Sequence, residues 1–342
     1  MNDILFKKED DSSTFIPLSG GWHQVKVPLP FSLKWVNSYL ASEQDGKYTV
    51  IDPGLRTDDA LAVWKTVMDR IGMSWSDIRQ IVLTHQHPDH YGLAGYMQER
   101  SGAPVYMSRR SHAYASRLWG NDSTFAVELK ALYEEHGMPD ELTDAIADNL
   151  ESFPAKVSPQ PAVTYLEAGE RFEIGGIRWQ LIDAPGHAYG ALCFYSEDKR
   201  WMLCGDQVLP RITPNVSYIP GEEYNPLADF LDSLERLKQY EVEFALPGHR
   251  DPFINFAGRI EELAGHHRRR LARMRELLEQ QPLTAFEMCE LLFGSNLRSN
   301  PHNLRFAMSE TLAHLHYLER KGHIQVIASD INDHNKPVKR WR

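Results

Sequence analysis

The chain has 342 residues, of which 42% are hydrophobic, 25% charged and 11% aromatic, a globular composition that excludes disordered, collagenous and coiled-coil chains. The length suits two domains of ordinary size. The net charge of −10 argues against a protein whose main work is holding nucleic acid, and three cysteines, at 193, 204 and 289, make neither a disulfide framework nor a CxxC metal site.

The opening MNDILFKKEDD is charged where a secretory leader needs an apolar run, and no stretch approaches 18 uninterrupted apolar residues. A soluble, cytoplasmic protein with no membrane partner is expected. Residues 22–52 read as strands, the last ending in Asp52-Pro53-Gly54. The spacing predicts a helix over 58–71, a strand over 78–85, a helix over 91–100 and a short strand over 105–107. Residues 109–153 lack strand signals and carry several short amphipathic stretches, so a helical insertion is expected, either a packing excursion or a lid bearing Tyr114, Trp119, Phe125, Tyr133 and Met138. Strand signals return over 162–205, a helix follows over 227–240, and FALPGH closes the region at 244–249. Beyond about residue 257 the character changes. Residues 258–342 carry 14 basic and 10 acidic residues, a net of +4, which leaves −14 for residues 1–257. Helical patterns over 258–280, 284–293 and 303–321, then IQVIAS, a polar turn and VKRWR, outline a winged helix.

The chemistry concentrates in Thr84-His85-Gln86-His87-Pro88-Asp89-His90. The motif lies where a strand ends and a helix begins, so that side chains 85, 87, 89 and 90 can converge on one point. Imidazole nitrogens and a carboxylate suit Zn²⁺ and similar divalent ions. Three later residues each stand just past an apolar run: His187 after LIDAPG, Asp206 after WMLCG, and His249 after FALPG. With the first motif they complete two coordination sets.

The order IDPG, THQHPDH, APGH, CGD, PGH resembles the metallo-β-lactamase superfamily over about residues 20–250, and most of all its glyoxalase-II-like hydrolases with an added C-terminal winged-helix domain. The resemblance implies an α/β fold, an αββα sandwich with the site at the edge of two packed sheets. It implies a catalytic domain over 1–257, with 109–153 as insertion or lid, and a winged-helix-like domain over 258–342. His85, His87 and His187 would hold one metal, Asp89, His90 and His249 a second, and Asp206 would bridge both. Asp52 would be a structural support in the first loop. Two divalent ions, zinc or else iron or manganese, would hold a bridging hydroxide at neutral pH that attacks a small ester or thioester. Asp89 would orient that nucleophile and shuttle its proton.

The departures narrow the reading. Common β-lactamases carry a cysteine where this chain has Asp206; Cys204 lies two residues earlier, on the strand. Lactone hydrolases of the family place a tyrosine where Leu209 stands. The basic glutathione-binding residues of glyoxalase II have no match. The loop 207–225 leaves the strand end beside the metals, so Arg211, Asn215 and Tyr218 are candidate substrate contacts, with a plain surface loop as the alternative. The run His266-His267-Arg268-Arg269-Arg270 reads as a solvated helix face before it reads as a phosphate site. His314, His316 and His323 read as surface or interface residues. Two other activities stay open: a single-strand endoribonuclease with the same metal centre, and a mononuclear-iron oxidoreductase of the persulfide dioxygenase kind. Nucleic acid is then an alternative partner, and the terminal domain offers an interface for a homo-oligomer.

Overall fold

A computed structural model describes residues 14–120, 122–221, 225–331 and 337–342. The charged opening stretch and most of the expected C-terminal turn lie outside them.

The first sheet begins as an antiparallel meander: β1 (Phe15–Pro17), β2 (Trp22–Pro28), β3 (Trp35–Ser42) and β4 (Tyr48–Ile51). Helix α1 (Asp58–Ile71) then crosses over to β5 (Ile78–Val82), which pairs parallel with β4. Its buried residues Ala60, Trp64, Val67 and Met68 fall on one face. Thr57 caps its start by accepting from the Ala60 N–H at 3.1 Å, and Gly72, at φ +70°, ends it.

After β5 the expected single helix is two: α2 (Pro88–Tyr91) and α3 (Ala94–Ser101). Pro88 starts a helix well because its missing N–H is not needed at that position. The break follows because the Leu93 N–H donates to the Gly54 carbonyl at 2.8 Å and so leaves the helical ladder. Strand β6 (Val105–Ser108) extends the sheet in parallel. The expected insertion is helical, formed by α4 (Arg109–Trp119), α5 (Phe125–Glu135) and α6 (Asp140–Glu151), and it returns to β7 (Val163–Leu166) at the sheet's other edge.

The second sheet holds β8 (Arg171–Ile174), β9 (Ile177–Asp183), β10 (Leu192–Ser196) and β11 (Trp201–Gly205), all antiparallel. After α7 (Pro226–Leu237), β12 (Phe244–Pro247) adds in parallel beside β11. Alternating side chains let both sheets bury both faces. Trp22, Tyr39, Ala41, Ile51 and Val82 of the first sheet meet Trp179, Leu181, Phe194 and Leu203 of the second in one core. The residues between them in sequence, such as Val25, Val27, Leu40 and Val50, pack with α1 in the other. The result is the expected α/β sandwich.

Helices α8 (Phe256–Gln280), α9 (Ala285–Phe293) and α10 (Pro301–Arg320) precede the antiparallel pair β13 (Val326–Ile331) and β14 (Pro337–Trp341). A reciprocal cap opens α9: Thr284 accepts from the Glu287 N–H at 3.1 Å, and the Glu287 carboxylate accepts from the Thr284 N–H at 2.8 Å. Trp341 is fully buried and stacks on His136 of the insertion. His314 corrects the expectation of a surface position. It is fully buried, its Nδ1–H donates to the Glu310 carbonyl at 2.7 Å, and its Nε2 accepts from the equally buried His267 at 3.0 Å. His316 packs against Tyr218, and His323 is exposed. Of the basic run, Arg268 and Arg269 are exposed, while Arg270 pairs with Glu310. No helix among the described residues is long and apolar enough to cross a membrane.

Candidate metal centre

Strands β9, β11 and β12 run in the same direction, because β10 is antiparallel to both β9 and β11. Residues just past their C-terminal ends therefore emerge at one edge. His187 follows β9, Asp206 follows β11 and His249 follows β12. The first sheet contributes His85, His87, Asp89 and His90 from the segment after β5 and from α2. All seven sequence-predicted ligand positions converge. Their ligand atoms gather in three overlapping groups: His85, His87 and His187; His85, His90 and Asp206; and Asp89, His90 and His249.

The spacings are those of atoms around a common cation. Four ligands about 2.05 Å from a tetrahedral zinc lie about 3.3 Å from one another. His85 Nε2 stands 3.1 Å from His87 Nδ1. His90 Nε2 is 3.4 Å from Asp206 Oδ1, while Asp206 Oδ2 is 3.6 Å from His187 Nε2 and 3.2 Å from His249 Nε2. The Asp206 carboxylate thus reaches both sets. His249 Nε2 lies a further 3.2 Å from Asp89 Oδ2.

Four of the five imidazoles are held from behind, which fixes ring orientation and tautomer. His90 Nδ1–H donates to Asp52 Oδ2 at 2.9 Å. His85 Nδ1 meets Thr84 Oγ1 at 2.9 Å, and that hydroxyl donates to Asp52 Oδ2 at 2.7 Å. His187 Nδ1–H donates to the Asn215 carbonyl at 2.8 Å, and His249 Nδ1–H to the Trp35 carbonyl at 2.9 Å. On the near side, His90 Nε2, His187 Nε2, His249 Nε2 and Asp206 Oδ1 are buried with no hydrogen-bond partner. Buried polar atoms are rarely left so, and four aimed at one space fit divalent ions.

Electrostatics agree. Burial drives the imidazoles of His85, His87 and His187 down, His87 to about 3, which leaves them neutral with free lone pairs. Burial pulls His90 and His249 down too, but Asp206 and Asp89 outweigh it, raising His90 and carrying His249 to about 10. This carboxylate pair calls for positive charge, which bound cations supply.

Gly248 leaves room for the arrangement. A Cβ there would sit 2.1 Å from Asp206 Oδ1 and 2.6 Å from His90 Cε1. Gly248→Ala is expected to weaken metal binding at least 10- to 100-fold, as losses of ligand support do, measured by competition against a chromophoric chelator.

The metallo-beta-lactamase superfamily profile matches residues 36–249. The chain belongs to this superfamily. A second profile, for the metallo-beta-lactamase-like C-terminal domain, matches residues 271–332. The chain is 28% identical over 306 residues to the probable metallo-hydrolase YqjP of Bacillus subtilis, covering 86% of this chain and 91% of that one. It is 29% identical over 168 residues to the atrochrysone carboxyl ACP thioesterase dmxR1 of Cryptosporiopsis, about half of each chain. Among solved structures, the metallo-beta-lactamase family protein TTHA1429 of Thermus thermophilus superposes with a TM-score of 0.83 at 34% identity, over 95% of this chain and 99% of that one.

Beside the converged histidines and aspartates lies a cavity of about 260 Å³. Asp89, His187 and His249 form part of its wall, and Phe31, Leu118, Trp119, Phe125 and Phe153 make much of the rest apolar. A separate depression of about 580 Å³, around Arg110, Tyr189 and Asp229, shares none of these residues. Of the three candidate substrate contacts in the loop after β11, only Asn215 lines the cavity, and its amide donates to the Phe306 carbonyl at 3.1 Å and to Glu310 Oε2 at 2.9 Å. Arg211 is exposed, at φ +63°, outside the cavity's lining, and Tyr218 stacks on His316 instead. Cys204 packs in the helix-side core, its thiol on the Val208 and Leu246 carbonyls. The strand's alternation does not carry through to Asp206, because Gly205 turns the chain at φ +47°.

Sequence reasoning missed the cavity wall from α10: His302, Asn303, Arg305, Phe306 and Ser309. Its only trace was Arg305, one of the few basic residues on that helix. It also missed the role of Thr84 between Asp52 and His85, and the Trp35 and Asn215 carbonyls, which any residue type supplies.

Proposed function

We propose that this chain is a dinuclear metal-dependent hydrolase of small esters or thioesters. The reading rests on one observation: three imidazole Nε2 atoms and a carboxylate oxygen, buried and unpartnered, face one another beside a largely apolar cavity. His85, His87 and His187 would hold one ion, Asp89, His90 and His249 the other, and Asp206 both. Zinc suits this donor set best, and iron or manganese also fit it. When bound, such ions activate water at neutral pH and polarise a carbonyl.

The chain's own groups do the rest. Asp89 is the more exposed of the two central carboxylates and lines the cavity, where a substrate carbonyl would come to rest. Burial pushes its pKa up, but His90 and His249 outweigh this and hold it well below the usual carboxylate range. It is placed to orient a water molecule and to pass its proton to the leaving group. The aromatic wall excludes bulk water. The thioesterase name of one relative supports the bond type, and the metallo-hydrolase name of another supports the reaction class. We read residues 1–257 as the catalytic unit, 109–153 as its inserted wall, and 258–342 as a winged-helix-like unit, on the order of three helices followed by an antiparallel pair.

Elemental analysis of the purified protein is expected to find two metal ions per chain. Removing them with chelator is expected to abolish cleavage of 4-nitrophenyl esters and acyl thioesters, and divalent metal to restore it. One iron per chain, with oxygen consumption and no hydrolysis, would overturn the reading.

A further inference from the structure

Helix α10 forms part of the cavity wall, and it brings one cation with it. Arg305 is the one arginine or lysine among the described residues that line the cavity. Its guanidinium lies over the Phe306 ring, 4.0 Å from the centroid. Its Nε is buried and has no hydrogen-bond partner. Among the described residues no carboxylate lies within ion-pair distance of it. Other arginines of α8–α10 are paired: Arg259 with Glu262, Arg270 with Glu310, and Arg298 with Glu290. The position is held, since the Tyr133 hydroxyl donates to the Arg305 carbonyl at 2.8 Å. Burial lowers its pKa to about 10, with Tyr133 and Asp89 opposing, so it stays charged at neutral pH.

A half-buried charge without a counter-charge is costly, and proteins seldom keep one. Here an anionic ligand in the cavity supplies the partner. The neighbouring imidazole adds no charge: His302, stacked on Phe31 at 4.3 Å, is held by burial near 4 and is neutral. The rest of the lining is the metal centre's own side chains, neutral polar groups such as Thr213, Asn215 and Asn303, and the aromatic and aliphatic groups already described.

We propose that Arg305 is an anion-binding subsite that fixes the substrate class: compact esters or thioesters whose acyl part joins an apolar body to an anionic oxygen group, carboxylate or phosphate. The inference rests on the hydrolase reading above. The guanidinium fork matches either anion with two parallel hydrogen bonds. The apolar body fills the space between Phe31, Leu118, Trp119 and Phe153, and the reacting carbonyl faces Asp89. The volume of about 260 Å³ limits the enclosed part to a small acyl group.

The test uses the metal-loaded full chain and three matched 4-nitrophenyl esters. Their six-carbon acyl chains end in a carboxylate, a phosphate monoester or a carboxamide. The wild type is expected to prefer at least one anionic ester over the carboxamide by about 10- to 100-fold in kcat/KM, the range of a charge-assisted hydrogen bond. The anion preferred names the group. Arg305→Gln is expected to erase that preference by a fall on the preferred anionic ester much larger than on the carboxamide, with the metal content as in the wild type, and Arg305→Lys to keep part of it. Equal rates on all three esters in the wild type, or an equal fall on all three in Arg305→Gln, would overturn the proposal. If the wild type cleaves none, the hydrolase reading fails and calorimetry decides the subsite. 4-Phenylbutanoate is then expected to bind wild type at least tenfold more tightly than Arg305→Gln, with 4-phenylbutanamide indifferent to the change. Equal carboxylate binding by the two proteins would overturn the proposal.

Discussion

Asp206→Ala is expected to reduce hydrolysis by about a thousandfold, the rate equivalent of the several kcal/mol that a Lewis-acidic metal supplies. The two oxygens of Asp206 face histidines of both proposed sets. Its Oδ1 faces His90, and its Oδ2 faces both His187 and His249. Removing the carboxylate takes a ligand from both proposed sets and deletes a buried negative charge that favours cations. Metal content is therefore expected to fall below two per chain, while far-ultraviolet circular dichroism stays as in the wild type. A variant that kept two metals and full activity would refute the bridging role.

The second large effect is expected at a residue outside the ligand set. Asp52 is buried, at φ +50°, and accepts from the Thr84 N–H at 2.8 Å, the Thr84 hydroxyl and His90 Nδ1–H. Through Thr84 it also holds His85. One carboxylate thus sets the tautomers of two imidazoles, one in each proposed set. Asp52→Ala is expected to weaken metal binding 10- to 100-fold, the usual cost of losing an outer partner of a ligating histidine. Titration against a chromophoric chelator reads this directly, and excess zinc is expected to restore most of the activity. Activity that stays lost at saturating zinc would show that Asp52 does more than position its neighbours.

The C-terminal helices reach the centre by a similar route. Arg270 pairs with Glu310, Glu310 accepts from the Asn215 amide, and the Asn215 carbonyl accepts from His187. Helix α10 therefore contributes to the site twice, by walling the cavity and by steadying the loop behind a proposed ligand.

What the sequence determined by itself was the local part. The spacing of His85, His87, Asp89 and His90 fits a strand end running into a helix, and Pro88 starts that helix wherever the segment is placed. The apolar runs before His187, Asp206 and His249 had to be buried strands, and ligands just past them had to sit at strand ends. The helices over 58–71 and 284–293 were legible for the same reason: their hydrogen bonds close within a few residues. Tertiary structure decided whatever depends on distant partners. Asp52 serves two histidines because β4 and β5 lie side by side. Backbone carbonyls of Trp35 and Asn215 carry no residue-type signal. The break at Leu93 needs a carbonyl 39 positions earlier in the chain, at Gly54. The burial of His314 and the unpaired charge of Arg305 arise only when α10 packs against α6, α7 and α8, because burial and counter-charge belong to the packed assembly and not to the segment.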